Sequence, residues 1–124
     1  MAHILLVMVG GALGASCRYL IALGMIQLFP KMWLPWGTVC ANILGCFIIG
    51  GLSQLVLQNG AHDVLKYLFI VGFCGALTTF SSFGLEAYQL FDMQHYFRAI
   101  LDVVIQVVCG FGAVILGVMV FKQQ

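Results

Sequence analysis

Gly72-Phe-Cys-Gly-Ala-Leu-Thr-Thr-Phe-Ser-Ser-Phe83 sits in the middle of an otherwise apolar run from about Val64 to Leu90. Gly72 and Gly75 precede the hydroxyls of Thr78, Thr79, Ser81 and Ser82 and the rings of Phe80 and Phe83. Glycine loses backbone entropy in a helix and clustered hydroxyls compete for backbone hydrogen bonds, so this composition favours a helix break. In hydrocarbon a break survives only where protein or trapped water satisfies the freed groups. An interrupted membrane segment is therefore a candidate site for an ion or a small polar solute. A second reading stays open from this stretch alone: a kinked helix whose Ser and Thr hydroxyls bond back to their own carbonyls.

The surrounding composition makes the run a membrane segment. Of 124 residues, 63% are hydrophobic and 7% charged, where a soluble domain carries roughly 25% charge. A span needs about 20 apolar residues, so the chain has room for four spans and short connections. The expected fold is all-α, a single membrane domain over residues 1–124 with spans near 4–28, 37–57, 64–91 and 97–121. A net charge of +1 points to no nucleic-acid partner and no polybasic lipid recognition. Cys17, Cys40, Cys46, Cys74 and Cys109 lie inside apolar runs without a CxxC pair and read as small buried hydrophobes. His3, His62 and His95 are scattered and suggest no metal site. The N-terminus lacks a basic region ahead of its apolar run, so the first segment is expected to stay as a span.

In the first segment Gly10 and Gly14 give a small-xxx-small spacing that lets two helix backbones approach. Arg18 follows, after about 21 Å of helix counted from Ile4. Two readings of Arg18 are open: it snorkels to the interface, or it lines a vestibule that attracts anions. Pro30, Trp33, Pro35 and Trp36 stop the helix and suit a headgroup boundary. In the second segment Gly37, Ala41 and Gly45 form a close-packing face, and Asn42 is the strongly polar side chain near the middle. Asn42 serves either a helix–helix hydrogen bond or an anion path. The second connection covers residues 58–63, and Glu86 follows the break. The fourth segment carries Arg98, Asp102 and Gln106 before Gly110.

With four spans, Lys66 and Lys122 fall on one side of the membrane and Lys31 and Arg98 on the other. Orientation follows the Lys/Arg excess, and a tie specifies none. Copies inserting both ways would allow an antiparallel homodimer with its two-fold axis in the membrane plane.

Three stretches together resemble the small fluoride channel family, often called Fluc. They are Gly10-Gly-Ala-Leu-Gly-Ala-Ser-Cys-Arg-Tyr19, Gly37-Thr-Val-Cys-Ala-Asn-Ile-Leu-Gly-Cys-Phe47, and Gly72 to Phe83 followed by Glu86. Order, spacing and length agree over essentially the whole chain. The resemblance implies a dual-topology homodimer with two antiparallel pores and a third helix broken at mid-membrane. It implies passive export of fluoride across the cytoplasmic (inner) membrane of a microbial cell. It also implies a central structural Na⁺ held by backbone carbonyls, which match Gly75 and Thr78 here. The family's pore asparagine matches Asn42, its pore phenylalanines match Phe80 and Phe83, and its vestibule arginine matches Arg18.

The chemistry of these residues agrees with that implication. A phenyl ring has a positive edge that can receive an anion, and residues at i and i+3 stand about 5–6 Å apart on one helix face. The Asn42 amide and the hydroxyls of Thr79, Ser81 and Ser82 can replace the hydration that fluoride loses. One departure stands out: many relatives place Ser where this chain has Gln106, and Asp102 lies one turn earlier. An acid beside an anion path repels the anion, so Asp102 lies at the mouth, pairs with Arg98, or faces elsewhere. Gln106, Asp102 and Glu86 receive no role from the sequence. A small multidrug-type antiporter is the alternative function, but that class needs a carboxylate in the first span, and Ile4 to Leu28 contains none. A structural membrane subunit would explain the glycine packing but not the polar break.

Overall fold

In hydrocarbon a backbone must satisfy its own N–H and C=O groups, and a helix does so within one segment. The computed structural model describes residues 1–59 and 62–122, and Gly60 and Ala61 of the second connection lie outside the described residues. α1 runs over Ala2–Leu28 and stops just before Pro30. α2 runs over Trp36–Asn59, beginning directly after Pro35. α3 covers 64–77: Val64–Cys74 winds as a π-helix, and Gly75–Leu77 closes it with an α-turn. α4 covers Phe80–Asp92 and α5 covers Tyr96–Lys122. α3 and α4 together make one span, so four spans among the described residues are long and apolar enough to cross a membrane.

A tight corner separates α4 from α5. Gln94 takes a left-handed φ of 61°, and the N–H of His95 reaches back to the Leu90 carbonyl at 2.9 Å. These bonds satisfy carbonyls that a helix end leaves free.

The spans pair in parallel through small residues. A Cβ added at Gly10 would collide with the Leu68 carbonyl of α3, and one at Gly14 with the Phe73 carbonyl. Gly72 of α3 answers them, packing on Val7 and Gly10. The small-xxx-small pair of α1 is therefore a backbone-to-backbone seam with α3. α2 and α5 form the second parallel pair. Asn42 bonds Gln106 at a sequence offset of 64, and Cys46 faces Gly110, and Gly50 faces Val114, in the same register. The Gly37, Ala41, Gly45 face of α2 looks the other way: Gly37 meets Ala22 of α1, and Gly45 meets Leu77 and Thr78. The cysteines differ from expectation. Cys74 is buried, Cys17, Cys40 and Cys46 are half-buried, and Cys109 is exposed, because α5 turns its Cys109 face away from α2.

Candidate functional site

The interruption of the third span falls on Thr78 and Thr79. Both are extended, Thr78 at φ −83°, ψ 151° and Thr79 at φ −149°, ψ 121°. The third helix bends by only 11°, so two residues leave helix geometry while the axis continues. Gly75 does not share in the departure. It is helical at φ −61°, ψ −32°, and Gly72 serves the α1 seam. The hydroxyls, not the glycines, mark the break.

Asn42 of α2 fills the gap. Its Oδ1 accepts the Thr79 N–H at 2.8 Å, and its Nδ2 stands 3.4 Å from the Thr79 carbonyl. In an unbroken helix the Thr79 N–H would go to the Gly75 carbonyl. Likewise the Ser82 N–H would go to the Thr78 carbonyl, but it is given to Thr79 Oγ1 at 3.3 Å as the cap of α4. The break frees the last four carbonyls of the first half-span, and the two matched above to a cation, those of Gly75 and Thr78, are the first and last of them. Thr78 Oγ1 donates to the Cys74 carbonyl at 3.0 Å, so one hydroxyl of the four does bond back to its own helix.

Asn42 also reaches across to α5. Its Nδ2 donates to Gln106 Oε1 at 2.7 Å, and Gln106 Nε2 donates to Asp102 Oδ1 at 3.1 Å. Asp102 is 0% exposed, and its Oδ2 has no partner among the described residues. Of the placements left open for Asp102, it faces into the bundle. Arg98 instead lies over the Trp33 ring, 5.6 Å from its centroid. One turn before Asn42, Thr38 Oγ1 donates to Glu86 Oε1 at 2.6 Å, which ties α2 to α4.

A groove of about 370 Å³ opens beside this cluster, lined by Asn42, Gly75, Thr78, Thr79, Phe80, Phe83 and Gln106 among others. The Phe80 and Phe83 rings meet edge to face, with centroids 5.5 Å apart and planes at 64°. Phe80 is 83% exposed, on the open side of the groove. Ser81 and Ser82 are not part of the lining. Their hydroxyls stand 3.0 and 3.5 Å from Thr79 Oγ1, and they act through the cap. Arg18 is half-buried on α1, away from the groove, and forms no ion pair among the described residues. Of Gln106, Asp102 and Glu86, which received no role from the sequence, Gln106 is the one in the groove wall. Its place four residues before Gly110, on the same face of α5, is the signal that could have found it.

The profile of the family described as CrcB-like protein, Camphor Resistance (CrcB), matches residues 5–118. Among curated proteins, one from Azobacteroides pseudotrichonymphae is 40% identical over 115 residues, covering 92% of this chain and 91% of its own. One from Methanococcus maripaludis is 39% identical, covering 94% and 93%. One from Rhizobium leguminosarum bv. trifolii is 37% identical, covering 98% of each. All three carry the name fluoride-specific ion channel FluC.

Proposed function

The chain belongs to the CrcB-like protein family, and on that premise we propose that it is a fluoride-selective channel, not an enzyme, that lets fluoride leave a microbial cell passively. The name these relatives share supports this reading, and the antiporter alternative finds no support in it. The observation that carries it is the Asn42 amide in the groove wall beside Phe80 and Phe83. One amide hydrogen of Asn42 is committed to Gln106, and the other has only the long 3.4 Å contact to the Thr79 carbonyl. That second hydrogen is the one most easily given to an anion. The neighbouring ring edges extend the favourable potential along the groove, and the narrow donor-lined path replaces water around a small, strongly hydrated ion.

The chain is a multi-pass membrane protein, and the membrane proposed is the cytoplasmic (inner) one. The proposed working form is an antiparallel homodimer. Gly75 and Ser81 are exposed within the third span. Interrupted backbone and hydroxyls facing lipid would cost several kcal/mol, so protein or water must cover them. A second copy in the opposite orientation agrees with the balanced Lys/Arg count. The Gly75 and Thr78 carbonyls, deprived of helical donors, fit a hard cation such as Na⁺. When bound, Na⁺ would supply positive charge that offsets the repulsion between anions in a low-dielectric interior.

Purified protein in liposomes, read with a fluoride electrode, tests the reading. Fluoride efflux without matching chloride efflux is expected. Efflux no faster than in protein-free vesicles would end it.

A further inference from the structure

We propose that Asp102 is a positioning residue whose carboxyl, through Gln106, fixes the direction in which the amides present their donors to the groove. The inference rests on the fluoride-path reading of Asn42. Its basis is a chain of side chains with a forced polarity. At one end stands a backbone donor, the Thr79 N–H, so the Asn42 atom 2.8 Å away must be oxygen. Asn42 therefore turns its NH₂ to Gln106, and the Gln106 atom 2.7 Å away must accept. Gln106 then turns its own NH₂ toward Asp102, whose Oδ1 accepts at 3.1 Å. Asp102 Oδ1 accepts at one end and the Thr79 N–H donates at the other, so both ends of the relay agree on the same orientation.

The consequence bears on the path. Each amide keeps one N–H free of a short bond, and both Asn42 and Gln106 line the groove. Two amide donors then face the anion where a Ser would supply one hydroxyl. The repulsion expected of an acid is also resolved by placement. Asp102 is fully buried and lies behind Gln106, and it is not in the groove wall. Gln106 is its one hydrogen-bond partner among the described residues, so the two residues depend on each other.

Without an acceptor at 102, the Gln106 amide can turn over and offer its NH₂ to Asn42, in competition with the Thr79 N–H. Asp102→Leu is expected to lower fluoride efflux about ten-fold, the scale of one hydrogen bond to a charged group, and to lower the fluoride-over-chloride ratio with it. Asp102→Asn keeps an acceptor carbonyl, and the Thr79 end still sets the polarity. It should stay within about three-fold of wild type. In a Gln106→Met background, which removes the amide but keeps its volume, Asp102→Leu should cost nothing further. Equal losses for Leu and Asn, or additive losses in the double variant, would overturn the relay. If Asp102→Leu fails to assemble, Gln106→Met alone decides, with the same ten-fold loss expected and wild-type rates overturning it. Asn42→Ala in the same assay separates the two levels. A fully active Asn42→Ala defeats the path itself, and an inactive one beside an active Asp102→Leu defeats only the relay.

Discussion

α3 and α4 come from one apolar run and serve one span, yet they pack in opposite ways. α3 buries Gly72, Cys74 and Leu77 and lays its backbone on the glycines of α1. α4 buries no residue and exposes Phe80, Leu85, Tyr88 and Phe91. The interruption lies between them, so it divides a fixed scaffold from a segment that presents side chains. Backbone-to-backbone seams have no slack, because no rotamer can move aside. A helix held mainly by its cap and by one face on α5 keeps its other face for lipid, a second copy or an ion. The difference teaches where a site can be built in so small a chain: at the free end of a half-span whose other half is clamped.

The sharpest way to break this comparison is to add bulk on each side of it. Gly10→Val and Gly14→Val drive a branched side chain into the α3 carbonyls and should cost about 3 kcal/mol or more. The expected outcome is loss of the monodisperse peak in size-exclusion chromatography. Gly84→Ala in α4, with nothing within 4 Å of the added Cβ, should leave that peak unchanged. If the α4 substitution proves as damaging, the clamped and free halves are not distinct.

Next in size is the amide that joins the halves. Asn42→Ala leaves the Thr79 N–H without its acceptor and the groove without its donor, and fluoride efflux should fall by about 100-fold, the scale of two such bonds. Asn42→Asp keeps an acceptor for Thr79 but sets a carboxylate against Gln106 Oε1 and the anion, so it should be equally inactive while still assembled. Smaller again are Phe80→Ile and Phe83→Ile. Aliphatic side chains hold volume and lose the ring edge, and about a three- to ten-fold drop in efflux is expected, the order of one weak polar contact. The fold of the single copy should not change for Phe80, which is 83% exposed in it.

How much of this was legible in the sequence varies residue by residue. Four hydroxyls inside an apolar run announce an interruption, since they compete with helical bonds wherever they stand. The glycines beside them are ambiguous, because a glycine serves φ freedom in one place and close approach in another. Gly72 turned out to be the second kind, and Gly75 is ordinary helix. Asn42 was conspicuous as a lone amide in hydrocarbon. Its partners were not, since Gln106 and Asp102 reach it only through the constant register of two parallel helices, which no local pattern encodes. A pair with Arg98, four residues before Asp102, was one of three placements the sequence left open, and Arg98 lies over the Trp33 ring instead.

The smallest expected effect concerns Gly75, and it tests what lies outside the single chain. Within the chain a Cβ at Gly75 meets nothing nearer than the Ile70 carbonyl at 4.0 Å. Helix propensity alone makes Gly75→Val nearly neutral or slightly favourable. Folding of one copy therefore gives no reason for harm. Gly75 is nonetheless exposed and lines the groove, and its carbonyl has lost its helical donor to Asn42. If a second copy and a cation approach that carbonyl, a branched side chain stands in their way. Thr78→Ser keeps both the carbonyl and the hydroxyl bond to Cys74 and should stay close to wild type. The measurement is dimer content and fluoride efflux for both variants in Na⁺ and in a larger alkali cation. A dimer weakened by Gly75→Val, and more so when Na⁺ is replaced, places the partner and the ion at the break. Gly75→Val indistinguishable from wild type in either salt would remove the partner and the ion from the Gly75 carbonyl.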